Sequence, residues 1–282
     1  MSQAQLMDGT GLARRIVDET AKRAADLTER TGVAPCLATV LVGEDPASVT
    51  YVRMKQNRSR KAGIESRHVA LPAGTTTDEL IGTLTELSAD PTVHGILLQH
   101  PMGHHIDERA AFEAIAPEKD VDGVTLASFS AMSFGLPGFA SCTPGGIMRL
   151  LDEYDVDPAG KRAVVVGRSA ILGKPVGMLL LGRDATVTYC HSRTADLSAA
   201  VREADIVVAA VGRPRLIRGE DIKPGAVVVD AGYNPGNIGD VDFDSARERA
   251  SLITPVPGGV GPMTIATLLA QTVEAATRQA GA

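Results

Sequence analysis

The chain lacks the marks of several protein classes. It has only three cysteines, Cys36, Cys142 and Cys190, an odd number with no CxxC spacing. This argues against a disulfide framework or a cysteine zinc site and reads as reduced thiols of a cytoplasmic protein. No apolar run approaches membrane-spanning length, so no membrane partner is expected. The polar opening Met1 to Gln5 passes directly into a helical pattern, which predicts no signal peptide. No long basic run occurs and the net charge is −6, so no nucleic-acid partner is expected. His104 and His105 near Asp107 are a weak hint of a metal. Adjacent residues rarely chelate from one helix face, and no further His or Cys sits at ligand spacing, so no metal is predicted. There is no internal repeat and no low-complexity segment.

What is present fits a soluble globular chain. Of 282 residues, 44% are hydrophobic and 22% charged, enough for an ordinary core in one large or two medium domains. Leu12, Ile16, Ala21, Ala24 and Leu27 recur at roughly helical spacing, and Gly32 ends that run. Cys36 to Val42 is continuously apolar and reads as a strand buried on both faces. Asp45-Pro46 starts a helix that runs through Tyr51 and Lys55 towards Gly63. Arg67 to Leu71 and Gly95 to Gln99 read as further strands, with a helix opening at Thr77 between them.

From residue 162 onward strands and helices alternate. Strands are expected at Ala163–Val166, Thr186–Cys190, Ile206–Ala210 and Ala226–Asp230, and helices at Lys174–Leu181 and Asp196–Arg202. That order predicts a parallel, doubly wound sheet. Ser128 to Ala140 lacks charge and reads as a linker. A helix over Gly146–Tyr154 is expected to be capped by Thr143-Pro144, and the last helix to span Ile265–Arg278 after a Pro- and Gly-rich loop. With no strand after it, that helix is expected to pack back on the first domain.

Several stretches carry candidate chemistry. Val164-Val165-Val166-Gly167-Arg168-Ser169, followed by Gly173-Lys174-Pro175, is a strand, a glycine turn and a helix start. Backbone N–H groups of such a turn face an anion at the helix N-terminus. The spacing is neither the usual dinucleotide fingerprint nor a P-loop, and an ordinary tight turn is the plain alternative. The next strand ends in His191-Ser192-Arg193-Thr194, with no acid at the tip to hold a ribose hydroxyl. With Arg168 in the first turn, this favours NADP over NAD. Asp196 fits better as the next helix's N-cap. Small residues at Ala209 to Gly212 and Asp230 to Asn234 suit a flat nicotinamide ring or, equally, close-packed turns.

In the first half, Tyr51 and Lys55 lie one helical turn apart, as a site pair or as a Tyr resting along a Lys stem. Gln99 ends a strand on the side of a parallel sheet where ligands collect. Lys119-Asp120-Val121-Asp122-Gly123 is a turn with two carboxylates, whose plain reading is a solvated loop.

Taken together, these blocks resemble the bifunctional methylenetetrahydrofolate dehydrogenase/methenyltetrahydrofolate cyclohydrolases. The resemblance rests on Tyr51 to Lys55, Gly95 to Gln99 with Pro101, Lys119 to Gly123, Cys142-Thr143-Pro144, Val166 to Ser169, Gly173-Lys174-Pro175, Cys190-His191-Ser192 and Pro255 to Thr264. It spans essentially the whole chain. It implies an α/β protein of two α/β lobes with a cleft between them, the second a doubly wound, Rossmann-like NADP-binding domain. The first lobe would cover residues 1–140, completed by the C-terminal helix 262–282, and bind folate; residues 141–261 would bind NADP. Methylenetetrahydrofolate would be oxidised to methenyltetrahydrofolate with NADP, and the methenyl product hydrolysed to formyltetrahydrofolate.

The resemblance also implies roles. Lys55 would be the central catalytic group, Tyr51 would stack on or orient the pterin, Gln99 would hydrogen-bond Lys55, and Asp122 would hold the pterin's amino edge. Pro257, Gly258 and Gly259 would contact substrate, and Gly167, Arg168, Ser169, Ser192 and Tyr233 the cofactor. A homodimer is the family expectation. The chain departs from the family at Gln99-His100-Pro101-Met102-Gly103, usually Gln-Leu-Pro-Leu-Pro, and at Ser141, usually Pro. A dehydrogenase of amino or hydroxy acids is the nearest rival, but no Arg pair near Lys55 suggests a carboxylate clamp. A cofactor-binding regulator without catalysis is the other, and the presence of Tyr51, Lys55, Gln99 and Asp122 together argues against it.

Overall fold

The computed structural model describes residues 3–43 and 55–281. The chain opens with a two-residue strand, β1 (Gln5–Leu6), where helical pattern was expected. Helix α1 (Gly9–Thr31) buries Leu12, Ala24 and Leu27, and ends at Gly32, whose φ of 74° is natural for glycine. Strand β2 (Cys36–Val42) is buried at every position, as its unbroken apolar run predicts. Residues 55–61 are the described part of α2. Strand β3 (Glu65–Leu71) starts two residues before the expected Arg67. Helix α3 (Thr77–Ala89) has a full capping box: Glu79 N–H donates to Thr76 Oγ1, and Thr76 N–H donates to Glu79 Oε2. Strand β4 (Gly95–Leu98) and the short helix α4 (Glu108–Glu113) follow.

Helix α5 (Leu126–Phe134) runs into the segment expected as a linker. Its uncharged Ser and Phe residues hid a helix whose start is held in three ways: Thr125 Oγ1 caps it by accepting from Ser128 N–H at 3.1 Å, Asp120 accepts from Thr125 N–H at 2.9 Å, and Glu113 from Leu126 N–H at 3.0 Å. Helix α6 (Cys142–Glu153) begins earlier than expected, and Thr143 is not its cap. The Thr143 hydroxyl instead lies 2.9 Å from that of Thr264.

Strand β5 (Arg162–Val166), helix α7 (Gly173–Leu181), strand β6 (Thr186–Cys190), helix α8 (Leu197–Arg202), strand β7 (Ile206–Ala209) and strand β8 (Val227–Asp230) alternate as predicted. Asp196 caps α8 by accepting from Ala199 N–H at 2.8 Å. A short helix α9 (Phe243–Arg247) and a two-residue strand β9 (Leu252–Ile253) complete the sheet. Helix α10 (Val260–Gln279) starts inside the expected loop, so Gly261-Pro262-Met263-Thr264 is its first turn.

Two compact units divide the chain. One comprises residues 15–131, 137–140 and 266–282. Its sheet is parallel, in the order β3-β2-β4, with β2 central. Leu80, Leu84, Leu87, Ile96, Leu98 and Phe112 are among its buried core side chains. Within this unit the later part of α10 reaches back along the sequence: Gln271 Nε2 donates to Val121 O at 2.7 Å, and Gln279 Nε2 to His94 O at 3.0 Å.

The other unit comprises residues 1–14, 132–136 and 141–265. Its six strands are all parallel, in the order β1-β9-β8-β7-β5-β6. Residues 1–14 fall here, against an expected boundary at 140, because β1 pairs Gln5 with Leu252 and Leu6 with Ile253. Successive strands β5, β6 and β7 reverse direction of travel across the sheet at β5, the arrangement that opens a crevice beyond the strands' carboxyl ends.

Candidate active site

In the first unit, β4 delivers Gln99 to the carboxyl edge of the sheet, where Gln99 N–H donates to Val40 O at 2.8 Å. Lys55, in α2, donates from Nζ to Gln99 Oε1 at 3.0 Å. The same amide donates from Nε2 to His100 O at 2.6 Å. These two bonds set the orientation of the amide, oxygen towards the lysine. An amide oxygen accepts from either an ammonium or a neutral amine, so Gln99 holds Lys55 in both protonation states without adding charge. Tyr51 lies outside the described residues.

The departure at His100 leaves this contact intact. Its backbone carbonyl serves Gln99, while its side chain turns to Glu108, Nδ1 to Oε2 at 2.6 Å. Both of those side chains are more than two-fifths exposed, so the pair adds little stability.

The 119–123 turn separates its two carboxylates by role. Asp120 is fully buried and accepts from Val124 N–H at 3.1 Å and Thr125 N–H at 2.9 Å. Lys119 is buried too and donates from Nζ to Asp90 O at 2.6 Å, beyond the end of α3; burial pushes its pKa down. Val121 packs on Gly95 so tightly that a Cβ there would lie 2.7 Å from Val121 Cγ2. Asp122, half-buried, is therefore presented by a turn whose other members are anchored. Sequence reasoning gave this turn a solvated reading and missed the burial of Lys119 and Asp120: the partner of Lys119 is a backbone carbonyl 29 positions back, and Asp120 is tied to the backbone at the start of the next helix.

In the second unit, Gly167 follows β5 with φ 141°. A Cβ on it would meet Ala210 O at 2.3 Å, and one on Gly173 would meet Gly167 O at 2.6 Å. Both glycines are thus required for the turn to close on the end of β7 and the start of α7. The first two N–H groups of α7 are already occupied by Ser169: Gly173 N–H donates to its Oγ at 3.2 Å, and Lys174 N–H to its carbonyl at 3.0 Å. Pro175 has no N–H to offer. The helix's own first turn therefore has little to offer an anion, which leaves residues 168–172 and the exposed side chains as the groups able to meet one. Gly177 is also required: Tyr189 crosses it from β6 to donate to Lys174 O at 2.9 Å, leaving no room for a Cβ.

Arg168, Ser169, Ser192 and Arg193 are all exposed. The β6 tip is folded by Thr194, whose Oγ1 accepts from His191 N–H at 2.9 Å. Asp196, the one nearby acid that could compete for a ribose, is engaged by the α8 backbone. These features fit a phosphorylated dinucleotide: a turn bounded by two glycines with no room for a Cβ, two exposed guanidiniums, and no acid at the strand tip. Tyr233 is 59% exposed and donates to Asn237 Oδ1 at 2.7 Å.

Pro257, Gly258 and Gly259 lie in this second unit, against residues 9 and 10. Thr10 N–H donates to Gly258 O at 2.9 Å, and a Cβ on Gly9 would overlap Gly259 O. The unit described with Lys55, Gln99 and Asp122 does not contain them. Two further residues were not anticipated. Asp230 and Asp240, both buried, accept from the N–H groups of Val211, Gly212, Gly232, Asp240 and Val241 in the turns after β7 and β8. Among the described residues no group of three or more His, Cys, Asp or Glu could hold a metal ion, and no helix is long and apolar enough to cross a membrane.

An all-parallel six-stranded sheet with this glycine turn at its reversal point defines a class, the α/β proteins with a Rossmann-like NAD(P)-binding domain. The family is more specific. Residues 7–122 match the catalytic domain of the tetrahydrofolate dehydrogenase/cyclohydrolase family, and residues 141–280 match its NAD(P)-binding domain. The chain belongs to that family, and it is a bifunctional one-carbon folate enzyme with dehydrogenase and cyclohydrolase activities.

Among curated relatives, bifunctional protein FolD 1 of Streptomyces avermitilis is 81% identical over 278 residues, 99% of this chain and 97% of that protein. The bifunctional FolD crystal structure from Campylobacter jejuni is 43% identical, with TM-score 0.95, over 98% of this chain and 99% of its own. A Trypanosoma brucei methylenetetrahydrofolate dehydrogenase-cyclohydrolase, complexed with NADP cofactor and inhibitor, is 40% identical, with TM-score 0.96, over all of both chains.

Proposed function

We propose that the unit built on β3-β2-β4 binds the folate and that the unit built on β5 binds NADP, so that the chain oxidises methylenetetrahydrofolate to methenyltetrahydrofolate and hydrolyses that product to formyltetrahydrofolate. The observation that carries this reading is the Lys55 Nζ to Gln99 Oε1 contact at 3.0 Å. Lys55 is the central catalytic group. In hydrolysis, water attacks the amidinium carbon of the methenyl bridge, and Lys55 takes the proton from water and returns it to the nitrogen released as the ring opens. Gln99 holds Lys55 in place through both steps. Asp122 accepts from the pterin's amino edge, and Tyr51 orients the ring. Pro257, Gly258 and Gly259 contribute to the substrate side.

Bound NADP supplies the hydride acceptor for the oxidation. Gly167 admits it by lacking a Cβ, Arg168 and Ser169 hold phosphate, and Ser192 receives the 2′-phosphate side. Tyr233 lines the same site. The absence of a free acid at the β6 tip supports NADP over NAD.

The chain acts as a homodimer in the cytoplasm. Supporting the dimer, β6 lies at the edge of its sheet, with Leu181 and Tyr189 exposed nearby. Supporting the compartment, all three thiols are buried and reduced.

One absorbance experiment tests the core of the reading. Methylenetetrahydrofolate with NADP should give NADPH, and added methenyltetrahydrofolate should lose its absorbance. Absence of both signals from folded protein refutes it, and light scattering checks the dimer.

A further inference from the structure

The loops that close the second unit's sheet are tied together by two carboxylates. Asp240 Oδ2 accepts from Val211 N–H at 2.7 Å and from Gly212 N–H at 2.9 Å, just past β7. Its Oδ1 accepts from Asn234 Nδ2 at 3.1 Å. Asp230, the last residue of β8, accepts on Oδ1 from Gly232 N–H at 2.9 Å and Asp240 N–H at 3.0 Å, and on Oδ2 from Val241 N–H at 2.9 Å. Five backbone N–H groups from three segments therefore end on two side chains. Asp230 and Asp240 are 4% and 0% exposed.

The surrounding sequence is shaped to this arrangement. A Cβ on Gly232 would lie 2.2 Å from Asp240 Cγ, and one on Gly239 would lie 1.9 Å from Asp230 Oδ2. Only glycine fits at either place. The held turns in turn abut the dinucleotide turn: Ala210 N–H donates to Val166 O at 2.8 Å, and Gly167 has no space for a Cβ against Ala210 O. The Asp240 clamp thus acts on the strand end that faces β5 across the reversal point, where a dinucleotide lies in sheets of this topology.

We infer that Asp230 and Asp240 are positioning residues for the nicotinamide half of the cofactor: they lock the turns after β7 and β8 into the wall against which that half is seated. This rests on the reading of NADP binding given above. A carboxylate is suited to the task because one oxygen can accept two N–H groups at once, and charge-assisted bonds of this kind hold backbone more firmly than neutral ones. These contacts lie in the unit that holds the dinucleotide turn and not in the unit that holds Lys55, so their loss should act on cofactor seating and not on Lys55 chemistry.

The two activities of one polypeptide supply the control, since the hydrolysis consumes no dinucleotide. Asp240→Asn keeps the volume and weakens the hold on Val211 and Gly212. Its KM for NADP should rise about tenfold, with methenyl hydrolysis measured without NADP staying within about twofold of wild type. A purely structural role moves both activities together. Parallel loss of both, or an unchanged KM for NADP, overturns the inference. Should Asp240→Asn fail to fold, Asn234→Ser removes the Oδ1 contact, together with the Nδ2 bond to Ile238 O, and should shift the NADP KM in the same direction by less; no shift there overturns the inference too. Wild-type protein that reduces no NADP with methylenetetrahydrofolate defeats the functional reading itself, whereas wild-type reduction with unaltered variants defeats the clamp alone.

Discussion

Lys55 and Gln99, 44 positions apart, meet through a single hydrogen bond whose acceptor is held in orientation by a second bond to the backbone of His100. In the proposed reading the lysine carries the reactive nitrogen and the glutamine helps to set where it sits. Removing either has a different consequence.

Lys55→Met takes away the proposed proton carrier. Methenyl hydrolysis should fall by on the order of 10²- to 10⁴-fold, the usual range for a lost general acid–base, while part of the hydride transfer survives. Loss of methenyl absorbance and growth of NADPH absorbance, followed separately, check this. Full hydrolysis by the variant refutes the role.

Gln99→Met keeps the lysine and removes its anchor. Hydrolysis should drop by about tenfold, less than for Lys55→Met, because one charge-assisted bond is lost and no proton carrier. The same assay ranks the two variants.

Arg168→Ala tests cofactor choice. Its guanidinium is exposed in the first turn, and its removal should raise the KM for NADP by about tenfold while NAD is used no worse than before. Initial rates with both dinucleotides decide it; equal effects on the two remove Arg168 from phosphate recognition.

Gly95→Ala tests the anchoring of the 119–123 turn. The new methyl would press on Val121 Cγ2 and Cγ1, at 2.7 and 2.9 Å before relaxation. Overpacking of this kind costs roughly 1–3 kcal/mol, and displacement of Val121 should carry Asp122 with it. Thermal unfolding should show the loss of stability, and the KM for methylenetetrahydrofolate should rise with the KM for NADP unchanged.

Acidity should leave a mark through Asp230. Burial pushes its pKa up from 3.8 to about 6, against the pull of the N–H groups of Val241, Asp240 and Gly232 and with the neighbouring Asp240 charge adding to the rise. Between those two values the folded state binds more protons than the unfolded chain, so this group's contribution to stability is full below about pH 3.8 and is lost as pH rises through about 6. Unfolding midpoints recorded across that window for wild type and Asp230→Asn check the sign: the variant should lack this descending component.

Much of this architecture was legible because burial writes itself into composition. Strand β2 is buried at all seven positions, and its run of apolar residues gave both ends correctly. Strand β6 and the Asp196 cap were equally readable, one from its boundaries and one from its cap chemistry. The short strands β1 and β9 were not, since two residues carry no periodicity; β1 exists by pairing with chain about 250 positions away, and β9 lies between β1 and β8. Helix α5 escaped although Thr125 caps it locally, accepting on Oγ1 from Ser128 N–H at 3.1 Å; its start is also held by Asp120 and Glu113, which no local pattern marks. In the site, Lys55, Gln99 and Gly167 stood out by position within their blocks. Asp230 and Asp240 did not, because what marks them is a set of backbone donors gathered from three separate turns.

The cysteines have a practical consequence. Cys36, Cys142 and Cys190 are 6%, 1% and 0% exposed, and burial raises the pKa of the Cys36 and Cys190 thiols, so little thiolate is presented to an electrophile. A maleimide dye or spin label should ignore the native fold. One new cysteine at an outward position such as Leu136, 61% exposed, would then be a unique attachment point, making the enzyme ready for distance measurements without first stripping out its own sulfur.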